Sequence, residues 1–355
     1  MKHSNYILYA FAAVVAISCA KTVAPGPNDA NKRFFDAWMA INHPGAERIG
    51  RGTYILEDTP GTGTEVKKDG YVLMDYTVTD LDGKITSYTS KVVSKQLGDY
   101  DTTKYYGPRF LTTFEESIQA GLMDAIDGMK GGGRRKVVIP GWMMSYSNKA
   151  TEQDYLNEES SNSDCIYDIT IKDFAESAND WQNDSIVRFF KNNQVKVFDR
   201  PASEVFVKNG TPMTMADTVQ AGFWYKKVAM KAGADTSAFK SDTTIYINYT
   251  GKLLNGLVFD TNIKKVALDN GLYSSSRTYE PVQINWGEKA EDITMGNDKN
   301  EIIDGFGLTL WQMREFEKGV GVFYSLLGYS YSGSGSAIPA FASLIFEIEI
   351  VEKPE

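Results

Sequence analysis

The chain has few of the side chains that carry covalent or metal-dependent catalysis. Its 355 residues include two histidines, His3 and His43, and two cysteines, Cys19 and Cys165. A histidine-based zinc centre and a Ser-His triad are therefore set aside, because each needs imidazoles brought together. No run of lysine and arginine occurs and the formal net charge is -9, which argues against a nucleic-acid footprint. The one long apolar run, Ile7 to Ile17, is too short to span a bilayer.

What does stand at the N-terminus is Lys2, that apolar run and small residues leading into Ala16-Ile-Ser-Cys19. This is the pattern of a secretory signal over residues 1–18. The cysteine resembles that of a bacterial lipobox, which implies cleavage before Cys19 and lipidation there; an ordinary signal with an incidental cysteine is the alternative. Ala16 stands where leucine is more usual. Ala20 permits outer-membrane sorting, and Lys21-Thr-Val lacks an acidic export run, so the expected site is the cell envelope, at the outer membrane facing the periplasm. With Cys19 lipidated, only Cys165 remains and no intrachain disulfide can form. Cys165 opens an alternating strand and reads as a small core hydrophobe. Residues 19–29 have linker composition and form a tether.

Two halves then repeat one plan. Each starts with an aromatic-bearing helical pattern, Asn31 to Trp38 and Trp181 to Phe190. An aromatic strand follows, Gly52 to Leu56 and Gly222 to Tyr225, and then a strand ending in tyrosine, Val72 to Tyr76 and Ile245 to Tyr249. Alternation places Val72, Met74 and Tyr76 on one face, and likewise Ile245, Ile247 and Tyr249. Helical spacing recurs at Leu122, Ile126 and Met129 and at Phe306, Leu310 and Met313. Closing strands point Cys165, Tyr167, Ile169 and Ile171 inward in one half, and Leu344, Phe346, Ile348 and Ile350 in the other. The fold class is α+β: two modules, each an antiparallel sheet wrapped around a short helix and preceded by a helical segment. The first covers residues 30–174 and the second 175–355, with either a hinge or a packed corner near Phe174 to Asn179.

In the second half, Ile245-Tyr-Ile-Asn-Tyr-Thr-Gly251, Phe259-Asp260, Glu301-Ile-Ile-Asp-Gly-Phe306, Ala337-Ile-Pro339 and the strand Ser343 to Ile350 follow one another in a fixed order. From about Ser241 to Val351 this resembles the FKBP-type peptidyl-prolyl cis-trans isomerases. The resemblance implies a proline pocket made by Tyr249, Phe259, Val282, Ile302, Ile303, Phe306, Ile338 and Phe346, with Phe306 as its aromatic floor. It implies Asp260 as a rim acceptor, the Ile303 N–H as donor to a substrate carbonyl and Tyr331 as a hydroxyl from the following loop. No cofactor and no metal are implied, and the partners would be proline-containing segments of envelope proteins. The pattern departs from the family where Phe306 replaces a tryptophan and Val282 a phenylalanine, and where extra residues precede Pro281, Glu301 and Gly319.

The first half keeps Tyr76, Ile118, Met129, Tyr146 and Tyr167, but has Thr86 and Ser87 in place of the Phe-Asp pair and Leu122 in place of the floor. A polar run, Asn157 to Asp164, replaces Ile-Pro. It is read as a degenerate, non-catalytic copy. Gly131-Gly-Gly133 lacks the lysine and hydroxyl of a phosphate loop and reads as a turn entering a strand. Glu291 to Glu301 lacks the ligand pattern of a calcium loop and reads as a solvated insertion. The expected activity is a lipid-anchored prolyl isomerase that assists folding outside the cytoplasm. Its rival is a non-catalytic lipoprotein that binds peptides, acts as a chaperone or serves assembly.

Overall fold

Apolar–polar alternation becomes antiparallel sheet in both halves of the computed structural model, which describes residues 26–193, 206–208, 211–213 and 222–355. The signal segment and Cys19 lie outside the described residues. Helix α1 (Asp29–Asn42) begins two residues before the expected Asn31 and buries Phe35 and Met39. It is followed by β1 (Glu47–Ile49), β2 (Thr53–Thr59), β3 (Tyr71–Thr79), β4 (Ile85–Tyr88), α2 (Lys91–Leu97), β5 (Arg109–Thr112), α3 (Ala120–Ile126), β6 (Arg134–Ile139), α4 (Glu152–Leu156) and β7 (Cys165–Ala175). The sheet order is β1-β2-β6-β7-β3-β4, with β5 also on β3. Its inward residues Val72, Met74, Ile169 and Ile171 share one core with Leu122 and Ile126 of α3.

The second half contains α5 (Ala178–Asn192), β8 (Phe206–Lys208), β9 (Thr211–Met213), β10 (Phe223–Met230), β11 (Thr244–Leu253), β12 (Val258–Thr261), α6 (Lys264–Asp269), β13 (Val282–Asn285), β14 (Thr294–Met295), β15 (Asn300–Glu301), α7 (Asp304–Gln312), β16 (Glu317–Phe323) and β17 (Leu344–Val351). Its main sheet runs β10-β16-β17-β11-β13-β14-β15, with β12 also on β11. The two sheets share a topology, with β10, β16, β17, β11, β12 and β13 in the places of β2, β6, β7, β3, β4 and β5. Register agrees as well: Tyr76 lies opposite Ile169 as Tyr249 lies opposite Ile348, and Ser87 pairs with Val78 as Asp260 pairs with Gly251.

Ser177 caps α5 by accepting from the Asp180 N–H, satisfying one orphan donor of the first turn. The corner between β7 and α5 is packed, because Trp181 Nε1 donates to Asp173 Oδ2 at 2.7 Å and the indole meets Phe110 edge-on at 4.7 Å. Farther along α5, Ile186 and Phe190 cover Trp224, Val322 and Ile345 on the outer face of the second sheet. Two expectations need correction. Met129 and Met313 are buried but fall beyond α3 and α7, which end at Ile126 and Gln312. The stretch Glu291 to Glu301 is not wholly loop, since β14 and β15 pair within it and extend the sheet.

Candidate functional site

The inward face of β11 carries Ile245, Ile247 and Tyr249, and Gly251 follows in the same phase. A side chain there is excluded, because a Cβ on Gly251 would lie 2.6 Å from the Phe259 ring. That space lets Phe259 of β12 reach Phe346 of β17, edge-on at 5.6 Å. Phe306, on the first turns of α7, meets Phe346 at 4.9 Å and Tyr249 at 5.6 Å, both edge-to-face. Each such contact contributes about 1 kcal/mol beyond the area it buries. Phe306 is only 3% exposed and floors the cluster; Ile338 is buried beside it, and Phe259, Val282, Ile302 and Ile303 are half-buried around it. No side chain caps the N-terminus of α7 at Ile303.

Polar groups close over this cluster at one side. Tyr249 Oη donates to Asp260 Oδ2 at 2.7 Å, Arg277 Nη1 pairs with Asp260 Oδ1 at 2.6 Å, and Arg277 Nη2 donates to Tyr249 Oη at 3.1 Å. Burial, then the Asp260 charge, pushes the Tyr249 phenol above its ordinary range, so it stays a donor at neutral pH. Burial works against the Arg277 cation, but the Asp260 hydrogen bond and charge outweigh it and its pKa is raised. With side chains 40% and 36% exposed, the ion pair adds little stability and chiefly orients its members. Buried Asn262 fixes the geometry beneath them. Its Oδ1 accepts from the Tyr249 N–H at 2.7 Å, and its Nδ2 donates to the carbonyls of Ile247 and Glu280, both at 2.9 Å.

Nine of the ten pocket residues read from sequence therefore come together around the Phe306 floor. Tyr331 does not join them. It is 71% exposed and borders a groove shared with Phe114 and Phe341. Tyr329, two residues earlier, is half-buried against the core, and its phenol is pushed up by burial and by the Asp260 charge. The loop thus offers Tyr329 rather than Tyr331 to the Asp260 side. Arg277, Asn262 and Tyr329 were missed from sequence. The part played by Asn262 recurs only in the structure: in the first half Thr89 holds the equivalent position, and its Oγ1 accepts from the Tyr76 N–H at 3.1 Å.

The first module keeps the frame and loses the cluster. Val78 fills the place of Gly251, Thr86 and Ser87 pair there without an aromatic ring, Arg109 takes the position of Val282, and Leu122 that of Phe306. Tyr76 and Tyr167 remain, 6.0 Å apart, while Tyr146 is exposed and accepts from Gln119 Nε2. Burial, with the nearby Asp164 charge second, pushes the Cys165 thiol up to about 12, which fits an inert core group and not a nucleophile.

Residues 235–351 match the family model of FKBP-type peptidyl-prolyl cis-trans isomerases. A curated relative from Haemophilus influenzae, named "Probable FKBP-type peptidyl-prolyl cis-trans isomerase", is 27% identical over 135 residues, covering 38% of this chain and 44% of the relative. The chain therefore matches less than half the length of that relative. Among solved structures, a peptidyl-prolyl cis-trans isomerase from Pseudomonas syringae is similar at 21% identity and a TM-score of 0.30, over 42% of this chain and 97% of that one. FkpA from Escherichia coli is similar at 18% identity and a TM-score of 0.29, over 49% and 58%. The three FKBP domains of wheat FKBP73 align at 13% identity and a TM-score of 0.27, over 84% and 93%. The match to the FKBP-type peptidyl-prolyl cis-trans isomerase family thus lies wholly within the C-terminal module.

Proposed function

We propose that the chain is a lipid-anchored prolyl isomerase of a bacterial envelope, with its catalytic site in the C-terminal module. The observation that carries this reading is the aromatic cluster of Tyr249, Phe259, Phe306 and Phe346 beside the Tyr249–Asp260–Arg277 network. Prolyl rotation needs no nucleophile. The amide interconverts over tens of seconds unaided, and the barrier falls if the twisted state is favoured over the planar one. The planar amide is charge-separated and well solvated by water, so an apolar floor at Phe306 disfavours it relative to the twisted form. The uncapped start of α7 at Ile303 supplies N–H groups for a substrate carbonyl, and burial, with the Asp260 charge second, keeps the Tyr249 phenol protonated. Tyr329 supplies the hydroxyl first expected from Tyr331.

A peptide assay that follows cis-to-trans conversion tests this reading. The soluble chain, residues 20–355, is expected to accelerate the conversion, and Phe306→Ala to abolish the gain; a folded chain without acceleration at any concentration overturns it. The anchor is tested separately. Metabolic labelling with palmitate should mark the chain and vanish in Cys19→Ala, whereas an unlabelled wild type removes the lipoprotein reading. A second reading, a non-catalytic peptide-binding or assembly module, is favoured by the eroded first site and by the exposed Phe114, Leu326 and Tyr331 in the groove between modules. Saturable binding of extended segments without rate enhancement would select it.

A further inference from the structure

Two loops frame the aromatic cluster: the excursion 262–281, which carries Arg277, and the loop 324–343, which carries Ile338. Both are touched by one loop of the other module. The Tyr105 N–H donates to the Ser336 carbonyl at 2.9 Å, and Tyr105 packs against the C-terminal core that contains Tyr249 and Phe306. At the opposite end of the same loop, a Cβ on Gly271 would lie 2.6 Å from Thr102 Oγ1. The loop is rigid from its own side. Tyr105 Oη donates to the Pro108 carbonyl at 3.0 Å, the Arg109 guanidinium lies 5.1 Å from the Tyr105 ring centroid, and Asp101 Oδ1 accepts from both the backbone and the hydroxyl of Thr103.

A cleft of about 260 Å³ continues from this contact between Tyr105, Phe110, Leu253, Pro339 and Phe341. On the other side of Phe341 it gives way to a second groove bordered by Tyr71, Phe114 and Tyr331. Resting on the isomerase reading above, we infer that the substrate groove is completed by the N-terminal module, whose residues 101–106 wall the path of the chain segment that flanks the proline. The degenerate module then selects substrates for the intact one. Its occupant is an extended polypeptide with apolar side chains toward the cleft, and Lys104, exposed on the loop, reads the charge of that flank.

The test uses the full soluble chain, two peptides with the same Leu-Pro core (a tetrapeptide and a dodecamer), and the variants Tyr105→Ala and Lys104→Glu. Both variants should turn over the tetrapeptide within about twofold of wild type. Tyr105→Ala should lower kcat/KM for the dodecamer at least about fivefold, and Lys104→Glu should invert the preference between acidic-flanked and basic-flanked dodecamers. Such a split between short and long substrates is not produced by a general loss of stability. Variants that treat short and long peptides alike overturn the wall. A dodecamer with a photoreactive benzophenone on its flank gives a second reading that does not depend on turnover: saturable labelling within residues 101–106 supports the proposal. Labelling confined to the C-terminal module, or none that saturates, overturns it. Absence of turnover with labelling at 101–106 defeats the isomerase reading alone.

Discussion

Phe306 and Leu122 occupy one position in two copies of the same fold, which makes Phe306→Leu a replacement the scaffold already tolerates. It should cost about 2–3 kcal/mol of stability, because two edge-to-face ring contacts of about 1 kcal/mol each are lost with the ring, and remove most of the rate enhancement, read by denaturant midpoint and peptide assay together. Gly251 and Phe259 form a coupled pair, since Val78 and Thr86 replace both in the other copy. Gly251→Ala is expected to push the Phe259 ring aside at a cost of about 1–3 kcal/mol; an unchanged urea midpoint would show that the ring has room to spare. Cys165, pushed up to about 12, should be alkylated at pH 8 on the order of a thousandfold more slowly in the native chain than in urea, where its pKa is near 8.5. Comparable rates would place the thiol in contact with solvent. Tyr249 and Phe346 were legible because strand alternation marks their faces, and Phe259 because the Phe-Asp pair is part of the family resemblance. Tyr329 and Tyr331 lie two apart in a loop without period, so nothing in the sequence ranks one above the other. Arg277 reaches Asp260 across a long excursion that only three-dimensional closure reveals.

Among the elements, α5 does the least predictable work. Its aromatic spacing announced a helix, but not that opposite sides serve different modules: Trp181 meets Phe110, while Gln182, fully buried, faces the loop that bears Ile338. Gln182 Oε1 accepts from the Ser325 N–H at 2.7 Å and lies 3.4 Å from Ser343 Oγ, so one amide ties both stems of that loop. Gln182→Leu leaves a buried N–H unpaired and should cost about 1–3 kcal/mol. Amide exchange at Ser325 should accelerate as well; unchanged protection would show that the loop holds its shape without the tie. The long strands were readable because one face of each is buried and the other partly solvated, which writes a period of two into the sequence. The hairpin of β14 and β15 was not, because strands of two residues hold too little alternation to register.

At the scale of the whole molecule, duplication was legible and the use made of it was not. Repeated patterns predicted two sheets of one design, and their strand order and register agree position by position. The contact between modules rests on Tyr105, Phe110, Trp181 and Phe341, which share no period and lie far apart in the chain. One copy has an aromatic floor and the other has leucine there, so the proposed catalysis is confined to a single site supported by the rest of the chain. The decisive measurement is the rate of cis-to-trans conversion of a Leu-Pro peptide by the soluble chain, wild type beside Phe306→Leu, with folding of both checked by circular dichroism. The account predicts clear acceleration by wild type and at least a tenfold lower kcat/KM in the variant, with both proteins folded. Equal rates for the two folded proteins, or no acceleration by either, would contradict it.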